Sequence, residues 1–273
     1  MQPVIELQDV CFSYDSDEVL HHVNLQVFER DRVAIVGPNG GGKTTLLRLI
    51  LGLLKPRFGT VSVYGQPPAI TRGRLGYVPQ QVQFDPQFPV NALDVVLMGR
   101  VERHLIGLYD RADRAAATQA LEQVDGTYLR NRSFAELSGG ERQRVLIAQA
   151  LASGTDVLLM DEPTANVDFL MEQRLYELFH QLEARLTLVI VSHNVNVVMA
   201  HVNRVVCVNR TAVIHPIEEV TTSTLQAAYG DGRTVIQHDE HRHVNDAAEE
   251  LRAAHRGVHT GHDHDDHPER RED

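Results

Sequence analysis

The run Gly37-Pro38-Asn39-Gly40-Gly41-Gly42-Lys43-Thr44-Thr45 joins closely spaced glycines, a lysine and two hydroxyls in one stretch. That order suits a triphosphate, whose dense negative charge calls for many short hydrogen bonds at once. Gly40, Gly41 and Gly42 can take backbone angles closed to other residues, so successive N–H groups turn inward as a nest for phosphate oxygens. Lys43 adds a positive charge for the β- and γ-phosphates, and the Thr44 hydroxyl is a ligand for Mg²⁺. A second group, Asp161-Glu162, can divide its work: Asp161 holds Mg²⁺, directly or through water, while Glu162 orients or deprotonates an attacking water. A third is Leu137-Ser138-Gly139-Gly140-Glu141-Arg142-Gln143, in which Ser138 is a helix N-cap and Gly139 and Gly140 open an anion-binding helix end.

Strands and helices must bring these groups together. The glycine run follows the apolar stretch Val33-Ala34-Ile35-Val36. It leads into a helix with Leu46, Leu49, Ile50, Leu53 and Leu54 at helical spacing, ended by Lys55-Pro56, whose positive end points at the anion. Asp161 and Glu162 close Val157-Leu158-Leu159-Met160, a continuous apolar run suited to the middle of a parallel sheet. Their place is the carboxyl edge, where open α/β sheets bind ligands. Leu188-Val189-Ile190-Val191 reads as another buried strand and ends on Ser192-His193, which sets His193 at the same edge as a γ-phosphate contact. Leu75-Gly76-Tyr77-Val78-Pro79-Gln80 reads as a strand that ends on Gln80, which is either a surface loop residue or a Mg²⁺ or water contact. Tyr14, in the turn-like Ser13-Tyr14-Asp15-Ser16-Asp17, is an edge aromatic or a ring able to stack on adenine.

Residues 4–29 alternate with period two, as antiparallel strands with one exposed face do, and Thr60–Tyr64 is a further short strand. Residues 84–136 carry aromatic-led loops and an alanine-rich helix from about Arg111 to Val124, and read as a helical insertion on an α/β core. Phe84 and Phe88 are either local core for that insertion or a docking groove. The chain is 42% hydrophobic and 23% charged over 273 residues, enough for one large α/β domain or two intimate ones. No apolar run approaches the roughly 20 residues of a membrane helix, and no signal peptide is visible. A cytoplasmic location is expected, with any membrane role acting through a partner. The net charge of −11, with no basic stripe, argues against nucleic acid as a partner. Cys11 and Cys207 read as reduced structural thiols.

Taken together, these residues resemble the ATP-binding cassette ATPases over about the first 230 residues. The resemblance implies a P-loop α/β core with a mainly parallel sheet, an N-terminal antiparallel β-subdomain and the helical insertion, all within residues 1–230. It implies ATP and Mg²⁺ as ligands, Tyr14 as the adenine-stacking aromatic, and Gly37 to Thr45 as Walker A. Gln80 becomes the Q-loop residue, Leu137 to Gln143 the signature, and Asp161 and Glu162 the end of Walker B. Asp168 falls in the D-loop, and His193 is the switch histidine. In such proteins Ser138 and Gly140 contact the γ-phosphate held by the opposite subunit, so a second copy is implied.

Phe84-Asp-Pro-Gln-Phe-Pro-Val90, Asp94-Val-Val-Leu-Met-Gly-Arg100 and Val191-Ser-His-Asn-Val-Asn-Val-Val-Met199 resemble zinc and manganese importer subunits, and iron-chelate importers share part of that wording. This implies integral-membrane permease subunits, an extracytoplasmic metal-binding protein, and a place on the cytoplasmic face of the membrane. The rival is a soluble cassette ATPase acting on ribosomes, DNA or assembly machinery; such proteins often fuse two cassettes or carry long coiled-coil insertions, and neither is seen here.

Residues 231–273 form an acidic tail, twelve Asp/Glu against six Lys/Arg, in which the apolar periodicity fades. His238, His241, His243, His255, His259, His262, His264 and His267 fall in it, eight of the fifteen histidines. Imidazole is largely neutral at cytosolic pH, as ligation requires, and a tract mixing nitrogen and oxygen donors suits zinc or nickel better than manganese. The tail reads as a solvated disordered segment or as a Zn²⁺-binding sensor or buffer that restrains the ATPase.

Overall fold

The computed structural model describes residues 2–82, 84–101, 109–165, 167, 169–194 and 198–229. The N-terminal alternation forms a hairpin of β1 (Ile5–Tyr14) and β2 (Asp17–Val27). After β3 (Arg32–Val36), β4 (Phe58–Val63) pairs on the other side of β1, completing a three-stranded antiparallel sheet of order β2-β1-β4. The strands run further than the alternation suggests. Tyr14 pairs with Asp17 as the last residue of β1, and the turn is confined to Asp15 and Ser16, with Asp15 left-handed at φ 49°. Bulges break the period of two and hid this length: between the pairs Val10–Val23 and Phe12–Leu20, Cys11 of β1 faces both His21 and His22 of β2.

The second sheet contains β5 (Leu75–Val78), β6 (Val157–Asp161), β7 (Thr187–Val191), β8 (Arg204–Asn209) and β9 (Thr211–Pro216), with β3 at its centre. Its order is β5-β6-β7-β3-β8-β9, parallel throughout except for β9. Every residue of β6 and β7 is buried, which explains their unbroken apolar runs. Alternate side chains serve two cores. Val33, Ile35, Val157 and Leu159 face the antiparallel sheet and the helix after the glycine run, whereas Ala34, Val36, Leu158 and Met160 face the remaining helices. The expected α/β architecture, mainly parallel with an antiparallel N-terminal sheet, is what the chain forms.

That helix, α1 (Lys43–Ile50), stops short of the expected Lys55-Pro56. Gly52 turns left-handed at φ 69°, its N–H donates to the Leu49 carbonyl at 3.0 Å, and the Leu53 N–H donates to the Arg48 carbonyl at 2.9 Å. This is a Schellman end, and it leaves Leu53 60% exposed although its spacing imitates another helical turn.

A single-turn helix α2 (Pro68–Thr71) precedes β5. The insertion holds α3 (Ala92–Met98) and α4 (Arg111–Gln123), each opened by a reciprocal capping box, Asn91 with Asp94 and Asp110 with Asp113. Both pack on α5 (Gly139–Ala152), and no strand lies among the described residues of the insertion. Arg100 ties them together, pairing with Asp113 at 3.0 Å and donating to the Ala152 carbonyl at 2.9 Å. The two aromatics separate: Phe84 packs edge-on against Phe134 at 5.1 Å, while Phe88 stays 61% exposed. Beyond β6 come α6 (Phe169–Leu182) and, after β9, a helix at Thr222–Tyr229. Cys11 and Cys207 are buried and unbridged. Among the described residues, no helix is long and apolar enough to cross a membrane.

Candidate nucleotide site

β3 hands the chain to the glycine run at the carboxyl edge of the parallel sheet. Gly37 and Gly42 are the positions where only glycine serves. A Cβ on Gly37 would lie 2.0 Å from the Val208 carbonyl oxygen, and Gly42, at φ 105°, would meet the Leu20 side chain at 2.7 Å. Gly41 departs from the expected left-handed role; its constraint is space, since a Cβ would sit 2.9 Å from the same Val208 oxygen.

The Lys43 ammonium is buried and donates to the Gly37 and Pro38 carbonyls at 2.9 and 3.0 Å. Burial lowers its pKa, opposed by the charges of Glu162 and Asp161. The neighbouring Thr44 hydroxyl favours the charged form of the Asp161 carboxylate at the end of β6. Asp161 is only 4% exposed, and burial pushes its pKa up; the Thr44 hydroxyl pulls it down and the charge on Glu162 adds to the rise. A hydroxyl and a carboxylate side by side are the hard oxygen donors that Mg²⁺ prefers, so the residues fit that ion.

Glu162 is held in the left-handed region at φ 49°, with its N–H donating to the Val191 carbonyl at 3.0 Å. Its Oε2 accepts from Gln80 Nε2 at 2.6 Å and lies 3.4 Å from His193 Nδ1. Chain from the ends of β5, β6 and β7 therefore converges on one carboxylate oxygen. A cavity of about 550 Å³ opens here, floored by Asn39, Gly40, Gly42, Lys43, Thr44 and Thr45 and walled by Gln80 and Glu162. Tyr14 and Val19 form its other wall; the Tyr14 ring is 42% exposed and braced edge-on by Phe12 at 4.9 Å.

The Ser138-Gly139-Gly140 turn does not line this cavity. Ser138 caps α5 by accepting the Glu141 N–H at 3.3 Å, and Glu141 Oε2 accepts the Ser138 N–H at 2.9 Å. That backbone hydrogen bond is the main reason the Glu141 pKa is lowered. Ser138 and Gly139 are exposed, whereas Gly140 is buried so closely that a Cβ would stand 2.3 Å from Met171 Cγ. Two contributors escaped the sequence reading. Tyr229 accepts the Gly37 N–H at 3.3 Å from the end of the last described helix, and the Arg210 N–H donates to the Gly41 carbonyl at 3.1 Å. A lone tyrosine and a backbone amide carry no sequence signal for such a role. Asp168 and the eight tail histidines lie outside the described residues.

The ABC transporter family profile matches residues 20–165. The manganese transport system ATP-binding protein MntB of Bacillus subtilis is 38% identical over 85% of this chain and 95% of its own length. The zinc uptake system ATP-binding protein ZurA of Listeria innocua is 35% identical over 78% of this chain and 85% of its own. Among solved structures, an inward-facing conformation of a metal-chelate type ABC transporter matches with a TM-score of 0.76 at 32% identity, covering 84% of this chain and 89% of that one.

Proposed function

The chain belongs to the ABC transporter family of ATP-binding proteins, and we propose that it is the ATP-hydrolysing subunit of a divalent-metal importer, zinc first, driving a separate membrane permease. The observation that carries the catalytic part is the convergence of Gln80 and His193 on Glu162, beside the half-buried Thr44 and the buried Asp161. Lys43 and the loop N–H groups bind the β- and γ-phosphates, and Tyr14 stacks on adenine. Thr44 and Asp161, with Gln80, hold Mg²⁺, which neutralises charge on the phosphates. Glu162 orients and deprotonates the attacking water, and His193 contacts the γ-phosphate.

The turn at Ser138 and Gly139 is exposed and outside its own chain's cavity, which supports a shared site: a second copy brings its Ser138, Gly139 and Gly140 to the γ-phosphate, with Asp168 at the seam. In this reading residues 1–230 are the cassette, seated on the cytoplasmic face of the membrane. The permease and an extracytoplasmic metal-binding protein handle the ion itself.

Zinc is favoured by this chain's own tail, whose eight imidazoles suit zinc over manganese. The tail then senses cytosolic Zn²⁺ and restrains hydrolysis. Manganese is the second reading, supported by the relative named for manganese transport. Uptake of labelled zinc and manganese in cells lacking the chain, restored by wild type but not by Glu162→Gln, separates the two. Restoration of neither, with the protein recovered on ribosomes instead of with a membrane protein, overturns the importer reading. Deleting 238–273 tests the tail: unchanged feedback by zinc removes its sensing role.

A further inference from the structure

We propose that Cys11, His21 and His22 form a binding site for a soft divalent transition ion, zinc by the chemistry of its donors, on the antiparallel sheet. In an unbroken strand neighbouring side chains point to opposite faces. At the β2 bulge they do not: His22 is left-handed at φ 47°, and the two imidazoles meet edge-to-face with centroids 4.4 Å apart. Cys11 is the single β1 residue facing both, and its Sγ accepts the His22 N–H at 3.2 Å. One ligand atom from each of the three lies within 4.8 Å of the others. A tetrahedral zinc with Zn–S near 2.3 Å and Zn–N near 2.0 Å sets its donors about 3.3–3.6 Å apart. Small rotations of two exposed imidazoles cover that difference.

The surroundings match a ligand set. His22 Nδ1 is held by Asp9 Oδ1 at 2.5 Å, and His21 Nδ1 by Glu18 Oε1 at 3.0 Å. Carboxylates on one ring nitrogen fix the tautomer and raise the basicity of the other, as outer partners of metal-bound histidine do. The imidazoles are more than half exposed while Cys11 is buried, so an ion enters from solvent and meets the thiolate last. Water or a carboxylate completes the fourth position. Thiolate with imidazole selects zinc or cobalt over the hard ions Mg²⁺ and Mn²⁺, so this site does not compete with the oxygen donors Thr44 and Asp161. The inference is independent of which ion the importer carries.

Cobalt(II) titrated into the full chain tests it, because a sulfur-to-cobalt charge-transfer band needs a thiolate and the histidine tail contains no cysteine. Cobalt added to saturation, past any taken up by the tail imidazoles, should produce the band, and excess zinc should abolish it. Cys207→Ser, altering the chain's other thiol, should leave it intact, and Cys11→Ser should remove it. His21→Gln and His22→Gln change side chains that are more than half exposed, and each should weaken the affinity read from this band at least about 100-fold. No band in the wild type, a band surviving Cys11→Ser, or unchanged affinity in both histidine variants overturns the proposal.

Discussion

Gln80 donates its side-chain amide to Glu162 at 2.6 Å, across two neighbouring strand ends of the parallel sheet. The accepting oxygen also faces His193 at 3.4 Å, so groups from separate loops are set around one carboxylate. If that carboxylate takes a proton from water, Glu162→Gln keeps shape and hydrogen bonding but loses basicity. Hydrolysis should fall about 10²–10⁴-fold while ATP binding persists. Steady-state turnover beside a nucleotide titration checks this, and near-normal turnover sinks the assignment.

Gly42→Ala and Gly40→Ala form an informative pair. Both positions are left-handed, at φ 105° and 78°, but a Cβ on Gly42 meets Leu20 at 2.7 Å and the Val19 carbonyl at 3.2 Å, whereas one on Gly40 meets nothing within 4 Å. Gly40→Ala should cost only the backbone term, about 1 kcal/mol, and Gly42→Ala roughly 2–3 kcal/mol once the clash is added. Thermal melts of the two variants give the comparison. Equal losses would mean that the wall formed by β2 yields freely.

Both the glycine-rich turn after β3 and the central strands were legible because each is a local pattern: an apolar run, a turn chemistry and an amphipathic helix in sequence order. What eluded the pattern was set by backbone conformation or by distant chain. Gly52 ended α1 while Leu53 and Leu54 kept helical spacing, and bulges concealed the full length of β1 and β2. Tyr229 reaches Gly37 from 192 residues away, a contact that only the assembled sheet creates. The capping box at Ser138 and Glu141 was half legible: Ser138 stood out as a cap, but its reciprocal partner emerged from geometry.

That box gives a pH signature. Glu141 has its folded pKa lowered, first by the Ser138 N–H and also by Arg132, whose guanidinium lies 2.6 Å away. A lowered carboxylate pKa adds stability that is complete above the unfolded value of about 4.3 and is lost as pH falls through the folded value. Glu141→Gln should therefore destabilise the protein by about 1 kcal/mol near neutral pH, with the gap to wild type closing below about pH 4. Denaturant unfolding of both proteins across that range is the check. A gap that stays constant with pH would assign the cost to shape instead of charge.

The metal site at the bulge and the nucleotide cavity share a strand, so they should be coupled. The His21 N–H donates to the Arg210 carbonyl at 2.7 Å, and the Arg210 N–H donates to the Gly41 carbonyl at 3.1 Å, two steps from imidazole backbone to phosphate loop. Leu20 presses on Gly42, and Val19 lines the cavity directly. An ion joining Cys11 to His21 and His22 fixes this stretch of β2 and orders in advance the wall that nucleotide must meet, so binding loses less entropy. Linkage makes the effect reciprocal: if metal tightens ADP binding about fivefold, ADP tightens metal binding by the same factor. Cobalt affinity read from the thiolate band, with and without saturating ADP, measures one side of the cycle. ADP affinity with and without cobalt, in wild type and Cys11→Ser, measures the other and removes any contribution from the tail. Equal factors in wild type and none in the variant are expected, whereas a wild-type cobalt affinity indifferent to ADP would show that the bulge and the phosphate loop act alone.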